Sequence, residues 1–526
     1  AGLAVAGEGI DDPRARDFAE KGHALHVKLL EHRRRAAGDD RGSASPALNY
    51  ALVAYPWAEF NFFHTYRSAF GRDVASEWPH VALLANYALW NRLPGDRWFG
   101  SGDAYHREED DAIPPGEMLY HLDHIRYFFG ATQPLSAALA HQLRDRLPVR
   151  DYRWRWPMHA VCHPFLLAGL HDTSSAALPL PRLPPARHFE NMGQVFMRSG
   201  SGDDDTYALF TAGGVVNHHK HFDENNFVIY HKGFLALDSG SRPVPGSHLF
   251  QYYCRTIAHN CILIRMEGET FPRYWGTRAE GEPNLPPPND GGMNRAIGAR
   301  VVAFEARPEY TYVASDAAPC YDPRKCKQVL RQFLFVPPAH FVIYDRVVST
   351  SPDYPKTWLL HTAREPAIEG DTFSTEQGQG RLFARVLLPL PGAARIRKVG
   401  GAGMQFWSDG RNWPIPEGFR VRNDDELVGQ WRVEVSPQQG RVEDEFLHLL
   451  EVGDRQRLLA MTPSQRIETE GKTGVEFDSG DRRVSVLFAR QGPPAGSLRI
   501  RRATADAAWE LSRSVQEQAG IDGMAP

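Results

Sequence analysis

Seven consecutive residues, Asn217-His218-His219-Lys220-His221-Phe222-Asp223, hold three histidines and an acid. Histidine is the commonest metal ligand and the usual proton carrier near neutral pH. A run with strand character, Phe227 to Leu237, follows and ends on Asp238, and a further histidine stands in Ala258-His259-Asn260. The region therefore reads as a metal site, an acid/base site, or both. Side chains alternate along a strand, so an extended backbone would put His219, His221 and Asp223 on one face, with Lys220 and Phe222 on the other.

Elements on both sides must position these groups. The first 180 or so residues read as helices. Apolar side chains recur at helical spacing from Ala15 to Leu29. Asn49 to Phe70 is a long aromatic stretch in which Pro56 predicts a kink or a helix start. Val81 to Leu93, Glu117 to Phe129, Leu135 to Leu147 and His159 to Leu170 complete about six helices, joined by short Pro/Gly breaks that suggest antiparallel pairs. After a Pro/Leu linker, Leu178 to Pro185, apolar segments become short and β-branched or aromatic, as in a large antiparallel β region. They include Gln194 to Met197, Tyr207 to Thr211, Phe227 to Tyr230, Cys261 to Ile264, Phe341 to Tyr344 and Val484 to Phe488. The expected organisation is an α+β multidomain chain: a helical region over 1–180, a β region with the metal site over 181–400, and a C-terminal β-sheet region over 401–526.

Composition narrows the function classes. The 526 residues exceed one ordinary core. Apolar residues make up 42% and charged residues 24%, the balance of a globular protein. A net charge of −4 provides no global field to recruit nucleic acid, and no apolar run approaches the ~20 residues that span a bilayer. Five cysteines (Cys162, Cys254, Cys261, Cys320 and Cys326) match neither a zinc ribbon nor a disulfide framework, although a Cys320–Cys326 bridge is open to them.

Together these segments resemble the heparinase II/III-like family of polysaccharide lyases. Three blocks in order carry the resemblance: His219-Lys220-His221-Phe222-Asp223-Glu224-Asn225-Asn226-Phe227, then Tyr230 through Gly240, then Tyr252-Tyr253-Cys254-Arg255-Thr256-Ile257-Ala258-His259-Asn260. Met197-Arg198-Ser199 and Phe446-Leu447-His448 extend it. The resemblance implies an incomplete (α/α) toroid followed by an antiparallel β-sandwich. It also implies one divalent ion held by His221, Asp238 and His259, with Asp223 supporting a ring N–H. Two imidazoles, a carboxylate and a water suit zinc, with manganese or calcium as alternatives.

The implied reaction is β-elimination on a uronic-acid-containing polysaccharide, such as a glycosaminoglycan or alginate. The proton alpha to the carboxylate is removed and the 4-linked sugar oxygen expelled, which requires proton carriers and stabilisation of the building charge. By resemblance the carriers are His219 and a tyrosine on a toroid helix. The Gly/Ser-rich approach Gly42-Ser43-Ala44-Ser45-Pro46 selects Tyr50, with Tyr55 second. Relatives place a carboxylate-neutralising Asn or His some fifty residues before that tyrosine. The expectation here is a toroid truncated at its N-terminus, with that residue upstream of Ala1 or replaced by another group. Tyr252, Tyr253 and Arg255 are substrate-contact candidates, Arg255 through its planar fork or, equally, as a salt bridge within the sheet. His159 and His163, four apart, are better explained as packed helix histidines, and Trp57, Trp90 and Trp98 as core. The resemblance implies a periplasmic or secreted bacterial protein with an anionic polysaccharide partner, no nucleic acid and no membrane span, a homodimer being left open. A uronate C5 epimerase and a non-catalytic carbohydrate-binding protein are the competing readings.

Overall fold

A computed structural model describes residues 9, 12–38, 42–47, 50–95, 97–98, 116–146, 183–216, 219–239, 249–269, 289–413 and 429–511. The helix expected over 159–170, with His159, Cys162 and His163, lies outside them.

Among the described residues, five α-helices precede the main sheets: α1 (Arg14–Ala37), α2 (Trp57–Phe70), α3 (Leu84–Asn91), α4 (Gly116–Phe129) and α5 (Pro134–Arg146). The break inside 49–70 is a consequence of Pro56. Lacking an N–H, Pro56 cannot donate to the carbonyl four residues back, so an α-helix cannot run through it. Residues Tyr50–Ala54 instead form one π-turn, closed by Tyr55 N–H donating to Tyr50 O at 3.1 Å, and α2 starts immediately after the proline. It ends at Gly71, whose left-handed φ of 65° lets its N–H reach Arg67 O.

The first sheet is consecutive and antiparallel: β1 (Ala186–Phe189), β2 (Gln194–Arg198), β3 (Tyr207–Thr211), β4 (Asn226–Tyr230) and β5 (Phe234–Ala236). Its strands are buried on both faces, and the alternation shows why. Phe196, Tyr207, Leu209, Val228 and Tyr230 join the core of the helices, whereas Val195, Met197, Ala208, Phe210, Phe227 and Ile229 join the core of the β region. This sheet is therefore the layer on which the two halves meet.

Behind it stand a four-stranded sheet, in the order Ala394–Gly400, Trp431–Pro437, Lys356–Thr362, Ile262–Ile264, and an eight-stranded sheet. Strand Glu443–Asp454 pairs with both His340–Ser349 and Gly380–Leu388 inside the eight-stranded sheet. Both sheets thus run across residue 400. A separate five-stranded sheet, from Ser464–Thr469 to Ala505–Leu511, packs on the far face through Val475, Phe477, Val486 and Phe488. Cys254, Cys261, Cys320 and Cys326 are free buried thiols, so the Cys320–Cys326 bridge is not formed. No described helix is long and apolar enough to cross a membrane.

Candidate active site and metal centre

The histidine-rich segment is a loop between β3 and β4 rather than the strand expected from its spacing. His219 (φ 58°) and Asn225 (φ 67°) turn the backbone left-handed, which breaks the two-residue alternation. The loop is fastened at several points. Asn225 N–H donates to Thr211 O at 2.7 Å, Phe222 N–H to Cys254 O at 2.9 Å, and the Thr256 hydroxyl to Phe222 O at 2.7 Å. Its two flanking charges satisfy each other. Lys220 and Glu224 form a buried pair, and Glu224 Oε2 also accepts from the N–H groups of Gly213 and Ala299, each at 2.7 Å. Gly213 and its neighbour Gly214 hold φ of 86° and 84°, so the cradle that receives Glu224 calls for glycine.

With Lys220 and Glu224 paired, Asp223 faces Asp238, which follows β5, and His259, which follows the 3-10 turn Thr256–Ala258. One ligand atom from each of Asp223, Asp238 and His259 lies within 4.8 Å of the others, and all three residues are buried. His259 Nδ1 and Asp238 Oδ1 are 2.7 Å apart. The His221 ring is buried with its centroid 5.5 Å from that of His259. The structure thus brings Asp238 and His259 of the anticipated set together with an oxygen of Asp223, expected only as a support, while His221 stands beside them through its ring contact with His259.

Electrostatics follow the geometry. Burial raises the Asp223 carboxyl to about 6, against the pull of His259 and Lys220. Burial opposes charge on His259 too, yet the Asp238 carboxylate and its hydrogen bond hold the imidazole above its ordinary pKa. His259 Nε2 and Asp223 Oδ1 have no hydrogen-bond partner among the described residues. Two buried carboxylates and the His259 imidazole form a donor set that fits a divalent cation.

Residues given no role from the sequence alone hold this cluster. Asn260 donates to Phe227 O at 2.7 Å and Leu237 O at 3.1 Å, and its Oδ1 accepts from His361 N–H at 2.7 Å. Arg331, on strand Cys326–Val336, donates from one Nη1 to Asn225 O and Asn260 O, both at 2.6 Å, and is gripped by Asp345 at 2.7 and 3.1 Å. One buried guanidinium thus ties the loop after Asp223 to the turn after His259.

On the helical side, Tyr50 stacks on His219, with ring centroids 3.8 Å apart and planes at 21°. Tyr55, the second choice, lies behind it at 5.3 Å. The substrate-contact candidates are enclosed. Arg255 is fully buried, with Nε 3.3 Å from Asp290 Oδ2 and its guanidinium over the Phe222 ring. Tyr252 and Tyr253 pack edge-on against Phe406, and burial raises the Tyr252 phenol. Trp90 is core, as expected.

Residues 181–486 match the C-terminal domain of the heparinase II/III-like proteins. The chain belongs to the heparinase II/III-like family. Solved structures agree on the fold, a helical toroid region followed by antiparallel sheets. A heparan sulfate lyase HepC mutant from Pedobacter heparinus aligns with a TM-score of 0.57 at 14% identity, over 93% of this chain and 65% of that one. A structure of heparinase III aligns at 0.57 with 11% identity, over 93% and 66%. This family member therefore spans about two thirds of the length of those relatives. A comparison with curated proteins gives no match.

Proposed function

We propose that this protein is a polysaccharide lyase that cleaves an anionic, uronate-containing polysaccharide of glycosaminoglycan type by β-elimination. The observation that carries the reading is the contact of Tyr50 with His219, two proton-bearing rings supplied from opposite sides of the molecule. In the reaction a base removes the proton at C5 and the electron pair forms the C4–C5 double bond. The C4–O bond breaks, and the leaving oxygen takes a proton. His219 and Tyr50 divide those two transfers. The 3.8 Å separation puts both rings within reach of one sugar residue.

Asp238 and His259 would hold a divalent ion together with His221 or Asp223, zinc being the best match to the donors. When bound, the ion supplies fixed positive charge beside the site. The chain's own contribution is to keep these groups buried and correctly turned, through Asn260 and Arg331. The heparan sulfate lyase relative supports a glycosaminoglycan substrate, and a periplasmic or secreted location suits a polymeric substrate.

A panel of heparan sulfate, hyaluronan, chondroitin and alginate, followed by ultraviolet absorbance and product sizing, tests the reading. One polymer is expected to yield shortened, absorbing products, and His219→Ala or Tyr50→Phe to slow the reaction by about 10²–10⁴-fold while polymer binding persists. Deuterium uptake from heavy water without chain shortening would instead identify an epimerase. Full activity in both variants would remove these two residues from the mechanism.

A further inference from the structure

The Tyr50–His219 contact depends on a π-turn that a proline cuts short, and one arginine spans the cut. Arg33, on α1, donates from Nη1 to Tyr55 O at 2.7 Å, the carbonyl immediately before Pro56. The same Nη1 is paired with Glu59, on the first turn of α2. The guanidinium also lies over the Tyr55 ring, 5.2 Å from its centroid. Tyr55 is 5.3 Å from Tyr50, and Tyr50 is 3.8 Å from His219. A continuous line of contacts therefore runs from Glu59 through Arg33, Tyr55 and Tyr50 to His219.

Ala51 and Leu52 of the π-turn are core, but packing beside Tyr55 is incomplete. A cavity of about 40 Å³, lined by Arg33, Tyr55, Glu59 and His80 among others, adjoins the Tyr55 ring. His80 adds no competing charge at neutral pH, because burial, with Arg34 and Arg33 adding, lowers its pKa to about 4. Both Arg33 and Glu59 are nearly enclosed, with side chains 14% and 7% exposed, so their pairing is not diluted by solvent as a surface pair is. The planar fork of arginine reaches a carboxylate and a carbonyl at once, which the single ammonium of lysine does poorly.

We propose that Arg33, anchored by Glu59, is the positioning residue that sets Tyr50 against His219. This rests on the lyase reading for its kinetic consequence but not for its structural one. The test compares wild type with Arg33→Gln, Arg33→Lys and Glu59→Gln, with Tyr50→Leu as the reference for a lost ring stack. Nuclear magnetic resonance of the His219 ring protons reports the Tyr50 ring current directly. Arg33→Gln and Glu59→Gln are expected to move those signals toward their positions in Tyr50→Leu, with Arg33→Lys between. On the cleaved polymer, kcat is expected to fall roughly tenfold to a hundredfold with KM changed less than about threefold, again with lysine intermediate. Wild-type His219 shifts in both Arg33→Gln and Glu59→Gln would overturn the proposal. So would a fall in kcat with the shifts unmoved. If Arg33→Gln does not fold, Arg33→Lys and Glu59→Gln decide by the same two readings. If wild type cleaves no polymer, the lyase reading fails while the shifts still decide whether Arg33 positions Tyr50.

Discussion

The two sides of the site are built on opposite principles. On the β side, Asp223, Asp238 and His259 are held by polar contacts drawn from three sheets: Asn260 to Phe227 and Leu237, His361 to Asn260, and Arg331 to Asn225 and Asn260. Each strut is buried and each replaces water that no longer has access. On the helical side, Tyr50 is presented by a single π-turn, and the line of contacts behind it passes through the Tyr55 ring to the Arg33 guanidinium. A cluster of like charges needs redundant fixing, because loosening it exposes buried carboxylates to each other. A proton carrier needs only to be aimed. Damage on the β side should therefore show as lost stability, and damage on the helical side as lost rate.

The largest effect that would break this contrast is at Arg331. Arg331→Met removes the cation that offsets the buried Asp345 carboxylate, and takes a donor from two backbone carbonyls. Breaking such a pair from one side costs about 3–5 kcal/mol. Urea unfolding should show that loss, and Arg331→Met with Asp345→Leu should recover part of it by removing the orphaned charge. A loss below about 1 kcal/mol would mean that the β side is not held from behind as described.

Next in size is the response to a divalent ion. Zinc bound only by the folded chain adds about 2.7 kcal/mol at a hundred times its dissociation constant. Asp238→Asn should abolish the rise in thermal midpoint, whereas Tyr50→Phe should retain it while losing activity. If Tyr50→Phe also loses the rise, the two sides do not act separately.

The contrast also governs what the sequence could reveal. The β-side groups were legible because His, Asp and Asn recur within 44 residues in an order that few structural segments share. The first sheet was legible for the same local reason, since its strands alternate and follow one another. The strand reading of 219–223 failed because a left-handed φ at His219 is not encoded in hydropathy. Arg331 and Asp345 could not be found, as they lie 71 or more residues from the carbonyls that Arg331 serves. Nor could local pattern show that Glu443–Asp454 would insert between Gly380–Leu388 and His340–Ser349, since that pairing is set by packing of whole sheets. On the helical side, Tyr50 could be separated from Tyr55 only by the Gly/Ser approach, and Pro56 marked the break without showing the π-turn it creates.

The smallest effect sharpens the comparison at the solvent edge of the β side, far along the sheet from the site. There His231 bonds Thr206 Oγ1 at 3.0 Å and Asp454 at 3.2 Å, while Lys232 pairs with Asp454 and the exposed Asp204. Burial lowers the His231 pKa despite Asp454, so the folded state disfavours its charged form. Its contribution is therefore full above the ordinary value near 6.5 and declines as pH falls from there toward the folded value. Asp454 is lowered by its bond to Lys232, so its contribution is present above 3.8 and is lost as pH falls through the lowered value. Both steps weaken the clasp in acid, in two separate windows. Lys232→Ala should cost no more than about 1 kcal/mol at neutral pH and erase mainly the lower step. His231→Gln should erase the upper one and trim the lower, since His231 also helps to lower Asp454, read as the difference from wild type in urea midpoint between pH 7 and pH 3. That subtraction matters because His64, His80 and His188, each lowered to about 4 by burial, also weaken the fold as the medium acidifies. If Lys232→Ala cost as much as Arg331→Met, burial would not be what separates a strut from a surface contact in this fold.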